Sequence, residues 1–470
     1  MTRRIFNASL VASTVAAAVP APPNVVIVLC DDLGYGDVGA FYPASKMSTP
    51  RLDQLARQGM RFTDAHSPSS LCTPTRYGTL TGRYCWRTRL KQGVLNGYSP
   101  ALIEPGRTTL PALLLAKGYR TGGFGKWHLG LGTAEKADFT QPFSPGPLDF
   151  GFTEYFGIPA SLDMPPYVFL ENNRCLEQPT STIADNGEVK RGPYWRGGPI
   201  APSFKMEDVL PKITERACHF IRGASKSAKP FFAYIPLPAP HTPWVPSKPF
   251  EGKSKAGLYG DFVHEVDACI GRIIDACAGT NTLFIVTSDN GAPWEARDAE
   301  AAAGHRADAN WRGQKSDIQE GGHRVPFIAA WPGHIAPDSI SNQLICHTDL
   351  FATVAELTGA KLTVGMAEDS ISFAPHLLGQ YGQARKAVVH HAGNGMFAIR
   401  DREWKLVVGR GSGGFTGPMK IDPKPGEPVG ELYHLLTDPH EDQNLYAAQP
   451  AVVDRLRSLL ETWQKQGRSR

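Results

Sequence analysis

The chain is 470 residues long, 41% hydrophobic and 20% charged, with 48 glycines and 39 prolines, the make-up of a loop-rich globular protein. That length holds one large domain with a smaller companion, or about three average domains. A formal net charge of only +4 gives no basic field to gather nucleic acid, and no apolar run reaches the ~18 residues of an internal membrane span.

Arg3 and Arg4, a short apolar stretch over 10–19 and the small-residue ending Val19-Pro20-Ala21 read as a secretory signal peptide cut near Ala21. Residues 1–21 are therefore set apart from the fold, and export to the periplasm or beyond is expected. Residues 24–30 form a short apolar run that ends in Asp31-Asp32. Near-continuous runs of this kind predict strands covered on both faces. Next comes Cys72-Thr-Pro-Thr-Arg76, with Pro74 suited to a first helical turn and Gly82 to a helix stop. A helix start near Cys72 favours an anion there, either a thiolate or another group made from that cysteine. Thr108 or Thr109 caps a further helix that carries Pro111 and stops at Gly118.

A strand over 119–125 delivers Lys126-Trp127-His128, and one over 231–237 leads to His241 in Pro240-His-Thr-Pro-Trp244. Residues 262–277 carry an apolar stripe at helical spacing, and a strand over 282–287 ends in Asp289-Asn290-Gly291. Strand–helix alternation predicts a doubly wound α/β sheet, and all four polar clusters fall beyond its carboxyl edge, where such sheets bind ligands. Past residue 380 the pattern changes. Short antiparallel strands are predicted over 387–390, 396–400 and 404–408, then a Gly/Pro-rich stretch over 409–429 and a helix over 451–464. The organisation read here is a catalytic domain over 22–380 and a small α+β domain over 381–470.

The eight cysteines do not form a tidy framework. Cys30, Cys269 and Cys277 read as buried thiols, and with Cys72 reserved for chemistry at least one of the remaining seven stays unpaired.

Asp31, Asp32, Asp289 and Asn290 offer the oxygen atoms that hard cations such as Ca²⁺ or Mg²⁺ require. Each pair alone reads as turn or helix capping. Two pairs at one sheet edge favour a cation site, because clustered carboxylates otherwise repel. Lys126 suits an anionic oxygen and His128 a proton transfer near neutral pH. Gly125 and Gly130 loosen the backbone around them. His241 sits on a proline-stiffened loop, and Lys315 in the Gly-rich segment 313–326. Arg83, Arg87, Arg89 and Lys91 form either a solvated basic face or an approach for a polyanion. Trp244, His305 and Trp311 either stack on a sugar or aryl ring or pack their loops.

At this point the residues resemble a known family. Cys72-Thr-Pro-Thr-Arg76 is the Cys-x-Pro-x-Arg signature of type I sulfatases, in the alkaline phosphatase superfamily. Gly78-Thr-Leu-Thr-Gly82, Gly125-Lys-Trp-His-Leu-Gly130, Ser288-Asp-Asn-Gly291 and Glu320-Gly-Gly-His-Arg-Val-Pro326 resemble sulfatase segments in the family's order, and the likeness covers most of residues 24–450. It implies an alkaline phosphatase-like fold: a large mixed, mostly parallel sheet sandwiched by helices, with a smaller C-terminal α+β domain.

The resemblance also implies that a separate maturation enzyme oxidises Cys72 to formylglycine, reading Pro74 and Arg76. The hydrated aldehyde attacks sulfur, and its second hydroxyl collapses to eject sulfate. Asp31, Asp32, Asp289 and Asn290, with matured Cys72, would hold Ca²⁺ or Mg²⁺. Arg76 would orient the nucleophile, and Lys126 and Lys315 would grip sulfate oxygens. His128 would take the diol proton, and His241 would protonate the leaving oxygen. Ser161 resembles another polar position of the pocket. The stretch 84–100 looks most like the branch holding arylsulfatase A and the N-acetylgalactosamine-6-sulfatases, which implies a sulfated carbohydrate, cleaved at a chain end. The alternatives are an arylsulfatase of broad specificity, a phosphodiesterase or phosphonate monoester hydrolase, and a non-catalytic binder of sulfated glycans.

Overall fold

Strand Asn24–Asp31 lies between Phe231–Pro240 and Thr282–Ser288, parallel to both. Arg120–Lys126 extends the parallel set beside Phe231–Pro240, and Glu154–Ile158 pairs parallel with it in turn. Short strands close the margins. Phe327–Ala330, Met60–Phe62 and Ser339–Ser341 lie on one side, and Leu170–Glu171 and Arg174–Cys175 on the other, giving a ten-stranded mixed sheet. The computed structural model that shows this describes residues 22–187, 191–293, 303–380 and 385–470, so the expected signal peptide lies outside the described residues.

Val25 to Leu29 have no exposed surface, as strands covered on both faces must. The covering helices form two packed sets. Pro50–Gln58 and Val209–Ala224 lie against Gly257–Ala276, while Cys72–Thr81, Leu110–Ala116 and Asp349–Leu357 contact one another. The expected punctuation is present: Thr109 caps the Leu110–Ala116 helix by accepting from Ala112 N at 3.3 Å. Gly82 ends the Cys72–Thr81 helix in a left-handed conformation, with φ 63°. Among the described residues no helix is long and apolar enough to cross a membrane.

Some elements escaped the sequence reading. The predicted helix over 262–277 begins earlier, at Gly257. Strand Glu154–Ile158 was missed because Gly157 interrupts its apolar run. A Cβ there would lie 1.7 Å from Gly125 O, so the close approach of two strands, not propensity, selects that residue. The cysteines are all free thiols, with Cys30, Cys269 and Cys277 buried as expected.

The C-terminal part is a four-stranded antiparallel sheet, Val388–His391, Phe397–Arg400, Trp404–Val407 and Glu431–His434, backed by helix Pro450–Gln466. Its fourth strand follows the Gly/Pro-rich stretch and carried too little pattern to be predicted. A buried polar layer holds this sheet to the main body. Arg400 and Arg324 each pair with Asp64 at 2.8 Å, and Lys405 with Glu441 at 2.8 Å. The rings of His323 and His390 stack 3.7 Å apart, with His66 beside them.

Burial tends to raise the Asp64 carboxyl, but Arg400 and Arg324 outweigh it and hold it well below its usual range. Burial, reinforced by Arg400, pushes His66 down to about 4. Burial also drives His323 and His390 well below their usual value. These histidines are uncharged in the fold and protonated in the unfolded chain below pH 6.5. The stability they contribute is present above that pH and lost as pH falls towards 4. Thermal unfolding followed across this window should show stability falling with pH. His390→Gln should flatten the slope by up to about 1.4 kcal/mol per pH unit. An unchanged slope in that variant would contradict this account of the layer.

Candidate active site

The parallel register brings the ends of the Asn24–Asp31 and Thr282–Ser288 strands side by side, Cys30 opposite Ser288. Asp289 N donates to Cys30 O at 3.0 Å, which joins the two acidic pairs directly. Asp32 then adopts φ 66°, a left-handed conformation uncommon for a residue with a side chain. Its carboxylate accepts from Asn290 Nδ2 at 2.7 Å and from Lys315 Nζ at 2.7 Å. Asp31 Oδ2 accepts from Lys126 Nζ at 2.7 Å, and Asp289 Oδ2 from Arg76 Nη2 at 2.7 Å and Nε at 3.1 Å. Cys72 begins its helix next to this cluster, with donor atoms of Asp31, Cys72 and Asp289 all within 4.8 Å of one another.

All these side chains are buried, so their charges interact with little screening by water. Burial works to raise Asp31, yet Lys126, His241 and Arg76 together hold it well below the usual carboxylate range. Asp289 goes the other way: burial and the neighbouring charge of Asp31 push it up to about 7, despite Arg76. The cluster is thus short of positive charge. Asp31 Oδ1 and Asn290 Oδ1 are also buried without a hydrogen-bond partner among the described residues. Unsatisfied buried oxygens and a carboxylate resisting ionisation fit a hard cation bound by Asp31, Asp32, Asp289 and Asn290. Burial raises the Cys72 thiol above its ordinary value, with Lys126 and Lys315 opposing. Of the two groups the helix start admitted, a bare thiolate is the less favoured.

His128 and His241 are held in defined orientations. His128 Nε2 lies 2.7 Å from Leu95 O, and a carbonyl only accepts, so Nε2 carries the proton. Nδ1 is then the free basic nitrogen, buried and unpartnered among the described residues. Burial and the adjacent Lys126 drive this imidazole well below its usual value, so it is neutral near pH 7. His241 is the mirror case. Its Nδ1 donates to Thr242 O at 2.5 Å, leaving Nε2 3.7 Å from Asp32 Oδ2.

Gly125 and Gly130, expected to loosen this region, do the opposite. At φ 144° and 76°, an added Cβ would sit 1.9 Å from Pro236 O and 2.0 Å from Pro100 O respectively. They allow tight packing that fixes Lys126 and His128. Lys315 is placed from two sides: its N–H donates to Ala292 O at 3.0 Å, and that of Ser316 to Ser70 O at 2.8 Å, beside the Cys72 helix. Ser161 is buried with no partner for its hydroxyl among the described residues, two residues past Pro159, whose carbonyl accepts from His128 N at 3.0 Å.

Residues considered for substrate contact have other roles. Arg87 forms a two-pronged pair with Asp369 at 2.8 Å, Arg83 pairs with Glu104 at 2.9 Å, and Arg89 and Lys91 donate to the backbone carbonyls of Pro100 and Trp86. Arg83 and Arg87 are thus paired and partly buried rather than part of a solvated face, while Arg89 and Lys91 remain exposed. His305 bonds Asp37 at 2.7 Å, Trp244 packs on Tyr259 at 5.1 Å, and Trp311 lies under Arg324 at 4.0 Å. The loop-packing reading holds for these three. Asp37, which sequence reasoning missed, also accepts from Gly34 N at 2.7 Å and from Tyr259 at 2.5 Å, and so braces the turn after Asp32. A cavity of about 790 Å³ bounded by Ala352, Glu356, Leu459 and Trp463 contains none of the cluster's residues.

A sheet-edge cluster of carboxylates, paired cations and oriented histidines defines a hydrolytic centre for an anionic ester. Comparison with known proteins specifies it. The sulfatase family model matches residues 23–360. The chain is 33% identical to the N-acetylgalactosamine-6-O-sulfatase of Bacteroides thetaiotaomicron, over 94% of this chain and 93% of that protein. It is also 33% identical to human arylsulfatase A, over 96% of this chain and 89% of that one. A solved structure from Bacteroides thetaiotaomicron glycosaminoglycan metabolism superposes with a TM-score of 0.84 at 32% identity, covering 94% of this chain and 99% of the other. The structure of Ps i-CgsB with k-i-k-neocarrahexaose shares the fold, with a TM-score of 0.72 at 23% identity, over 95% of this chain and 94% of that one. The chain belongs to the sulfatase family, and its activity is the hydrolysis of sulfate esters.

Arg76 carries the largest share of the cluster's fixed pairing. Arg76→Ala strips Asp289 of both side-chain donors, and breaking such a buried pair should cost about 3–5 kcal/mol in denaturant unfolding. A loss below about 1 kcal/mol, the size of an exposed pair, would contradict the buried geometry.

Proposed function

We propose that the protein is a formylglycine-dependent sulfatase that removes sulfate from a sulfated carbohydrate, matured at Cys72 by a separate enzyme and exported. The observation that carries this reading is the buried set Asp31, Asp32, Asp289 and Asn290 with two unsatisfied oxygens, gathered against Cys72 and flanked by Lys126 and Lys315. A divalent cation, Ca²⁺ or Mg²⁺, held by those four residues and by residue 72, and an aldehyde hydrate at position 72, would supply the positive charge and the hydroxyl nucleophile that the reaction needs.

The chain's own side chains do the rest. Arg76 anchors Asp289 and sets the orientation of residue 72. The ammonium groups of Lys126 and Lys315 donate to the sulfate oxygens, whose charge grows as the ester bond breaks. His128, neutral with a free Nδ1, accepts a proton from residue 72. His241 presents Nε2 to the alcohol oxygen and, when the ring carries a proton on both nitrogens, gives the Nε2 proton to that oxygen on departure. Ser161 offers its hydroxyl to the bound ester. The carbohydrate preference is supported by the likeness to the Bacteroides enzyme named for N-acetylgalactosamine 6-O-sulfate. The division into a catalytic domain over 22–380 and an α+β domain over 381–470 is part of the same proposal.

In a host with the maturation enzyme, the peptide bearing residue 72 should be lighter than its cysteine form by about 18 Da, the change from CH₂SH to CHO. Cys72→Ala should fold normally yet lose aryl sulfate turnover. A chelator should remove activity, and added Ca²⁺ or Mg²⁺ should restore it. Full activity in Cys72→Ala, or a large preference for an aryl phosphodiester over an aryl sulfate, would sink this assignment.

A further inference from the structure

Asp163 and Arg196 form a pair beside His241 that the sulfate-cleaving groups leave unused. Asp163 is only 4% exposed. Its Oδ2 accepts from Arg196 Nη1, while Oδ1 is buried with no hydrogen-bond partner among the described residues. The backbone fixes the pair: Arg196 N donates to Asp163 O at 3.2 Å, and the Tyr167 hydroxyl lies 3.0 and 2.6 Å from the carbonyls of Asp163 and Arg196. The Arg196 side chain stays 38% exposed, with Tyr194 beneath it.

Asp163 does not serve to orient His241. Its Oδ1 is 4.0 Å from His241 Nδ1, beyond hydrogen-bond reach, and that N–H is already given to Thr242 O. The imidazole instead spans the gap between the two sites, with Nε2 facing Asp32 and Nδ1 facing Asp163. A sulfate ester seated against Lys126 and Lys315, with its leaving oxygen at Nε2, directs the rest of the alcohol along this ring. It therefore meets an unsatisfied carboxylate oxygen and an accessible guanidinium. A buried acceptor of that kind calls for a donor.

We propose that Asp163 and Arg196 select the alcohol by binding a free hydroxyl on the sulfated sugar ring. The hydroxyl donates to Asp163 Oδ1 and accepts from Arg196, two charge-assisted hydrogen bonds on one group. The carboxylate also disfavours a second sulfate at that ring position, so the pair favours a ring sulfated once. This inference rests on the carbohydrate reading above and adds the residues that would enforce it.

The test compares N-acetylgalactosamine 6-sulfate and galactose 6-sulfate with 4-nitrophenyl sulfate, which has no ring hydroxyl to offer. In Asp163→Ala and Arg196→Ala, kcat/KM for a sugar sulfate should fall roughly 10- to 100-fold, the range of one charged hydrogen bond, while the aryl sulfate changes by less than about threefold. Arg196→Ala, with its side chain partly in water, keeps the test open if Asp163→Ala does not fold. A parallel fall on both substrates, with a shifted pH profile, would show Asp163 acting through His241 and overturn the proposal. So would sugar sulfate turnover unchanged in both variants. A wild-type enzyme that cleaves the aryl sulfate and neither sugar sulfate would remove the carbohydrate reading itself, and this inference with it.

Discussion

Three carboxylates buried within a few ångströms of one another are the constraint on which the rest of this molecule depends. Burial, reinforced by the neighbouring charge of Asp31, drives Asp289 towards its neutral form even with Arg76 upon it. The fold answers with cations fixed in the interior: Arg76, Lys126 and Lys315 each reach a different carboxylate. A buried lysine or arginine is rare unless it is paired, so the site explains three otherwise costly burials at once.

Holding such a cluster together demands an unusually exact backbone, and the strain is placed around it. Asp32, His128 and Ser316 all have positive φ, and each adjoins or is a residue of the site. Left-handed non-glycine residues cost energy and persist where surrounding structure over-determines them. Here the over-determination is visible. Asp37 and Ser288 hold the turn at Gly34 and Leu33, at 2.7 and 2.9 Å, and Gly125 lets the Arg120–Lys126 strand approach Pro236 closely.

The strand ends and their polar clusters were legible because each apolar run stops abruptly at a charged or polar residue, a local signal. Lys126, His128 and His241 were read from the strand ends, Lys315 from its Gly-rich segment and Cys72 from its helix start; the roles of these residues and of Arg76 came from motif resemblance, and the fold brings all six to the one edge that the strand pattern marks. What escaped was tertiary. Gly125 and Gly130 look like flexible punctuation in a sequence, and only the neighbouring carbonyls reveal them as close-packing positions. Arg83 and Arg87 look like a basic surface, because Glu104 and Asp369 lie far along the chain. Asp37 carries no motif of its own; its importance comes from His305 and Tyr259, more than two hundred residues away. Charged residues whose partners are distant in sequence are the ones a linear reading misassigns.

The two histidines show how a fold can give chemically identical side chains opposite orientations. Each ring has one nitrogen tied to a backbone carbonyl, but not the same one: Nε2 in His128, Nδ1 in His241. The carbonyl fixes the proton on the tied nitrogen and leaves the other as the reactive atom. His128 is buried beside Lys126, and both effects favour its neutral form. His241 turns Nε2 towards the Asp32 carboxylate, 3.7 Å away. Opposite tautomers, set by two carbonyls, thus leave a different nitrogen of each ring untied: Nδ1 in His128, with no partner among the described residues, and Nε2 in His241, turned to the carboxylate cluster.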